Sequence, residues 1–200
     1  TSGNVDINET DDLNINELDQ NAAAGTVNVD AGGTITVVDG QTGVSALAGQ
    51  VELDANGINS NIAVNDSVIT TTGDINVLAD NDVTFDATSD ITSTSGNVVV
   101  TADTDGAVDG GGSDQGALTM ADGAIINAGS GTVDMDANEN VTLGSVVTTN
   151  ATGSAVSITS SAAGVVDGGD ADTDIVANNG TVTIDAVTGV GDAGNIETQI

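Results

Sequence analysis

The sequence predicts an all-β fold: a parallel β-helix (β-solenoid) of about eight turns, each of roughly 23 residues with three short strands. Three observations carry that prediction. A glycine-led motif recurs at a nearly constant interval along the whole chain. Apolar and polar residues alternate with period two inside each segment. Proline is absent and 3.6-residue apolar patterning is almost absent, which favours strands whose every N–H enters a ladder.

The motif is G-x-φ-x-φ-x-A, with φ apolar. In chain order it reads GNVDINE from Gly3, GTVNVDA from Gly25, GQVELDA from Gly49 and GDINVLA from Gly73. It continues as GNVVVTA from Gly96, GTVDMDA from Gly131, a shifted GSAVSITS from Gly153 and GTVTIDA from Gly180. Successive glycines are 22, 24, 24, 23, 35, 22 and 27 positions apart. The two longest intervals hold Gly/Asp-rich tracts, 105–116 and 165–174, which read as loops inserted into regular turns.

Each unit divides into three alternating segments. Residues 73–95 contain DINVLA, DVTFDA and DITSTS; residues 131–152 contain TVDMDA, NVTLGS and VVTTNA. Such segments are too short for helices. Glycine, which accepts positive φ, suits the corners between them. Stacked turns would align Val5, Val27, Val51, Ile75, Val98, Val133 and Val182 in one inward column. Ile7, Val29, Leu53, Val77, Val100, Met135 and Ile184 would form its neighbour, and Ala31, Ala55, Ala79, Ala102, Ala137 and Ala186 would fill a corner.

The 31 acids face no Lys, Arg or His, so the formal charge is −31; Phe85 is the only aromatic and Cys is absent. A surface of this sign repels nucleic acid and anionic membrane and attracts cations or basic partners. No apolar run is long enough to span a bilayer as a helix. Outward positions three and five after the glycine read Asp6, Asn28, Glu52, Asn76 and Asn8, Asp30, Asp54, Leu78. The first series alternates acids with amides. The second sets Asp30 beside Asp54, an unfavourable neighbour pair unless a cation or a raised pKa relieves it.

Asp170, Asp172 and Asp174 form D-x-D-x-D, the opening of an oxygen-ligand calcium loop, and Asp103-Thr-Asp105-Gly106 is similar. The candidate metal ligands are Asp103, Asp105, Asp109, Asp114, Asp167, Asp170, Asp172 and Asp174, with Ca2+ as the cation. An EF-hand counted from Asp170 would need Gly and Glu where Ile175 and Thr181 stand, so any site is irregular. Catalysis is not expected. Solenoid enzymes acting on anionic sugars pair acids with basic residues, and this chain has none. Ice binding would need Thr-x-Thr on one face, whereas Thr34/Thr36, Thr92/Thr94 and Thr181/Thr183 fall at different places in their units.

The run G-[DNT]-[IV]-x-[VIL]-x-A, followed by NDVTF or ENVTL, resembles the haemagglutinin-type repeats of filamentous-haemagglutinin-like adhesins over essentially the whole chain. The resemblance implies a right-handed β-helix in an exported, extracellular or cell-surface protein of a prokaryote. The expected function is structural: residues 1–200 form one module, uncapped at both ends, of a long acidic fibre. The alternative is an adhesin stalk or binding module whose Asp-rich loops take calcium or a partner.

Axial partners are copies of the chain itself, fused or stacked. The interval from Gly180 to Gly3 of a following copy would be 23 residues, an ordinary turn. Val5, Ile7, Ile196 and Ile200 are the expected junction residues.

Overall fold

The computed structural model describes residues 3–40, 42–106, 116–169, 172–191 and 194–200. Turn one contains β1 (Val5–Glu9), β2 (Leu13–Ile15) and β3 (Glu17–Gln20); turn two contains β4 (Val27–Ala31), β5 (Ile35–Val37) and β6 (Gly43–Ala46). Turn three contains β7 (Val51–Ala55), β8 (Ile62–Val64) and β9 (Val68–Thr70); turn four contains β10 (Ile75–Ala79), β11 (Val83–Phe85) and β12 (Asp90–Ser93). Turn five contains β13 (Val98–Ala102), β14 (Leu118–Met120) and β15 (Ile125–Asn127); turn six contains β16 (Val133–Ala137), β17 (Val141–Leu143) and β18 (Ser145–Thr148). Turn seven contains β19 (Val156–Ser160), β20 (Gly164–Asp167) and β21 (Ile175–Ala177); turn eight contains β22 (Val182–Ala186), β23 (Gly189–Val190) and β24 (Thr198–Gln199). The described residues contain no helix.

Every third strand pairs in parallel with its equivalent in the next turn, giving three eight-stranded sheets. The first sheet runs from β1 to β22, the second from β2 to β23 and the third from β3 to β24. The predicted apolar columns form in register: Val5–Val27–Val51–Ile75–Val98–Val133, then Val156 and Val182. Val156 completes the column in the turn whose motif is shifted. Ser160 takes the corner position held by alanine in turns two to six and eight, and Glu9 takes it in turn one.

Inward residues of all three sheets merge into one core. Leu53, Ile62, Ile75, Ile91, Leu118, Met135 and Ile158 are among its largest fully buried side chains. A period-two strand puts alternate side chains inside, so no helical face is needed to cover the sheets.

The repeat glycines Gly25, Gly49, Gly73, Gly96 and Gly131 are required by close approach, not by positive φ, whereas Gly3 and Gly153 have open space where a Cβ would stand. The positive-φ residues include Gly106, Gly116, Gly123 and Gly129 but not Gly25, Gly49, Gly73, Gly96 or Gly131. A Cβ on Gly73 would lie 2.0 Å from the Gly49 carbonyl oxygen, one on Gly96 1.8 Å from that of Gly73, and one on Gly131 2.0 Å from that of Gly96. The glycine column stacks backbone directly on backbone at the corner before the first sheet.

A buried hydroxyl closes several turns from inside. Thr70 Oγ1 donates to the Gly49 carbonyl at 2.9 Å, Ser93 Oγ to Gly73 at 2.9 Å and Thr148 Oγ1 to Gly131 at 2.7 Å. In turn one the Gln20 amide does the same for Gly3. In these four turns the end of the third-sheet strand is thereby tied to the glycine that opened the turn.

The tract 165–174 is only partly loop. Val165, Val166 and Asp167 belong to β20, with Val165 fully buried, so the connection begins at Gly168.

Candidate functional site

The Asp-rich tracts leave the solenoid at two different corners. Asp103 and Asp105 follow β13, between the first and second sheets; Asp167 ends β20, and Asp172 and Asp174 lie between β20 and β21, from second to third. Asp109, Asp114 and Asp170, also predicted as ligands, fall outside the described residues.

Asp103 has φ +65°, and its Oδ2 accepts from Asn138 Nδ2 at 2.8 Å. Its Oδ1 is buried with no hydrogen-bond partner among the described residues. Asp105 is exposed.

Asp167 is buried, and its Oδ1 accepts the Gly169 N–H at 2.8 Å. Asp174 is 1% exposed, with Oδ2 accepting the Glu197 N–H at 2.8 Å. These two carboxylates organise backbone, a common use of aspartate in a tight connection. Asp172 is exposed and, with Asp174, lines a cleft of about 240 Å³ whose other wall includes Asp122, Ile125 and Ser145. That is smaller than an ordinary small-molecule site of at least about 300 Å³. Among the described residues, no group of three or more Asp and Glu side chains is placed to hold a metal ion.

The outward columns of the first sheet are as the sequence predicts. Asp30 and Asp54 are direct register partners. Burial raises the Asp54 pKa, and the charges of Asp30 and then Glu52 push it further in the same direction. Amides relieve part of this crowding: Asn56 Nδ2 donates to Asp30 Oδ1 at 2.7 Å, and Asn76 Nδ2 to Glu52 Oε2 at 3.1 Å. Asp136 is also raised, by burial and by Asp134, against an opposing hydrogen bond from Thr159. Asp19 lies below the usual carboxylate range because Ser45 and Asn21 donate to it. At Asp86 burial acts to raise the pKa, but hydrogen bonds from Thr88 and Ser89 outweigh it and the net direction is down.

Carboxylates and amides also staple turn to turn through backbone. Asp12 accepts the Thr34 N–H at 2.8 Å, Asp74 that of Asn97 at 2.7 Å and Asp82 that of Ala117 at 2.8 Å. Much of the acid at the corners therefore has a structural partner. The Thr-x-Thr pairs are dispersed: Thr36 is on the second sheet, Thr92 on the third and Thr183 on the first.

The junction residues sit at the two end turns. Val5 and Ile7 in β1 and Ile196 before β24 are half-buried against the core, and Ile200 is 62% exposed. Val182 and Ile184 in β22 are likewise half-buried, whereas their partners Val156 and Ile158 are buried. No protein-family model, curated protein or solved structure matches this chain.

Proposed function

We propose that the chain is a structural module of an extracellular acidic fibre, of the filamentous-haemagglutinin-like kind, whose turns continue axially into further copies. One observation carries this reading. The apolar columns run in register through all eight turns and reach both end turns still half-buried, beside strands with one unpaired edge. A following turn, covalent or stacked, would bury those residues and pair those edges. Repetition along one axis without closure gives a filament. A strongly negative exterior with no positive side chain would keep such fibres soluble and separate at low salt. Catalysis has no part in this reading.

Eight strand spacings of about 4.8 Å give a module repeat of roughly 38 Å. Electron microscopy and fibre diffraction of the assembled protein should show both distances. Val5→Asp places a carboxylate in the joint at a cost on the order of several kcal/mol and should shorten the fibres to single modules. A protein that stays monomeric at high concentration, or an axial repeat unrelated to eight strand spacings, would overturn the proposal.

A second reading, a binding module using its Asp-rich loops for calcium or a partner, has one observation in its favour. Asp103 Oδ1, buried with no hydrogen-bond partner among the described residues, lies at the start of the larger insertion. On this reading a chelator at constant ionic strength lowers the melting temperature and calcium restores it. An unchanged melting temperature would leave plain salt screening as the account of the acids.

A further inference from the structure

We propose that the fold is tightened by acid: lowering pH through the carboxylate range switches off the one long-range force that opposes the stack, and no acid-unfolded state follows. The switch belongs to each module and goes beyond the axial reading above, since it needs no neighbouring copy.

Charge density sets its strength. Eight strand spacings give a module about 38 Å long, so the 31 acids stand one to about every 1.2 Å of axis. Duplex DNA carries one negative charge per about 1.7 Å. The unfolded chain of 200 residues extends to about 660 Å at most, or one acid to about 20 Å of contour. Folding therefore concentrates like charge beyond the density of DNA, with no Lys, Arg or His to offset it.

The crowding is sharpest on the first sheet. Asp30 and Asp54 are register partners, and Glu52 stands two residues from Asp54 on the same outer face. On one side β1 adds Asp6 and Glu9; on the other β10 has no charged residue, with Asp74 and Asp80 just outside its ends. Asp134 and Asp136 share the outer face of β16. Their neighbours β13 and β19 hold no titratable side chain, with Asp103 just past β13 and Asp185 one strand further on in β22. A carboxylate in such surroundings binds a proton more readily than one on the extended chain. The folded state then holds more protons than the unfolded state as pH falls, and stability rises in the same direction.

An ordinary domain unfolds in acid because ion pairs lose their carboxylates, buried neutral histidines become charged and the chain turns strongly positive. None of these operates here, because the sequence has no basic side chain. A protonated carboxyl also keeps an acceptor oxygen. Asp74, Asp82 and Asp174 can therefore retain the N–H groups of Asn97, Ala117 and Glu197. Asp19 and Asp86, each held by several donors, lose part of their bonding and oppose the effect. Those are two sites set against repulsion summed over 31 charges.

The test is thermal unfolding of the dilute chain by circular dichroism from about pH 7 to about pH 3, at about 10 mM and about 0.5 M NaCl, where screening lengths are roughly 30 Å and 4 Å. At low salt the melting temperature should rise by about 5 °C or more across that range. At high salt the rise should shrink to less than half, because a long-range force is already screened. Asp30→Asn, Glu52→Gln and Asp54→Asn combined should raise the melting temperature at neutral pH and low salt, and leave it unchanged at the acid end. Potentiometric titration should show the folded chain binding protons at higher pH than the chain unfolded in urea.

A melting temperature that falls on acidification at low salt overturns the proposal. So does a rise of equal size at both salt concentrations, which would place the cause in local hydrogen bonds. A rise that grows with chain concentration would assign the gain to association and overturn it as well. Fibre formation is read separately, from the axial repeat, so its failure would sink the axial reading and leave this one standing.

Discussion

At the residue scale, three kinds of position decide whether the turns stack: the repeat glycines, the inner hydroxyls and the crowded acids. Gly73→Ala puts a methyl against the Gly49 carbonyl oxygen, which is backbone and cannot swing aside. Gly40 has open space around its Cβ direction but a φ of +77°, so Gly40→Ala tests strain without collision. Chemical denaturation should show the larger loss for Gly73→Ala, about 1–3 kcal/mol or more. Thr70→Val keeps the shape but strips the donor from the Gly49 carbonyl and the acceptor from the Gly73 N–H. Leaving buried backbone groups unmet should cost about 1–3 kcal/mol. Asp54 works the other way. Its folded-state pKa is raised, so its ionisation opposes folding above that pKa, and the penalty fades as pH falls through it. Asp54→Asn should therefore raise the melting temperature at neutral pH, by an increment worth up to about 1 kcal/mol for a like-charged cross-strand pair. The gain should vanish once pH is low enough to protonate Asp54 in both states. Asp19 and Asp86, whose pKa values are lowered, have the opposite sign: their contribution is present above the unfolded carboxylate pKa and lost as pH falls through the folded one.

At the element scale, the first strand of each turn is the most uniform unit, with its first, third and fifth residues buried and the two between them half-buried in β4, β7, β10, β13, β16 and β19. Leu53→Ala opens a cavity between Val29 and Val77 in its column and should cost about 2–5 kcal/mol in urea unfolding. The conservative Ile75→Val should cost about 0.5–1.5 kcal/mol. These strands were legible in the sequence because alternation and the glycine mark coincide, so register followed once the glycines were aligned. The third strands were harder to read. Their inner positions carry Thr70, Ser93 and Thr148, which pattern reading sends to solvent. They are buried because each has a glycine carbonyl to bond, a partner that only the closed turn creates. The glycines were located correctly for the wrong reason, since closeness between turns leaves no mark in a single turn's sequence. Val165 and Val166 were absorbed into a loop by the Gly/Asp run beside them, although alternation continues through β20. Of the predicted ligands, Asp167 and Asp174 are buried against backbone donors. A D-x-D spacing does not distinguish that role from metal binding, because both place an oxygen where a tight connection needs an acceptor. The scarcity of Asp and Glu in the third segment of the second to seventh units was present in the sequence, but it became a face only when six such segments stood side by side.

At the scale of the whole molecule, cohesion is apolar and internal, and the electrostatics outside act against it. With a formal charge of −31 and no cation to offset it, monovalent salt should raise the melting temperature until screening saturates. A flat response from low to high salt would mean that the amide and backbone partners of the acids already neutralise the repulsion. A stack of turns also distributes its stability along its axis, because each turn touches only its neighbours. Val51, Ile75 and Val98 are completely buried, whereas Val5 and Ile7 at one end and Val182 and Ile184 at the other are half-buried. Hydrogen exchange on the dilute chain should accordingly show amide protection lowest in turns one and eight and rising toward turns three to six. The proposed axial assembly would give the end turns a further neighbour and change nothing at the middle ones. Concentrating the chain should therefore raise protection selectively in β1, β2, β22 and β23, with β7 to β12 unaltered. End strands fully protected in the dilute monomer would show that the terminal columns need no further turn to bury them, and the axial proposal would lose the observation on which it rests.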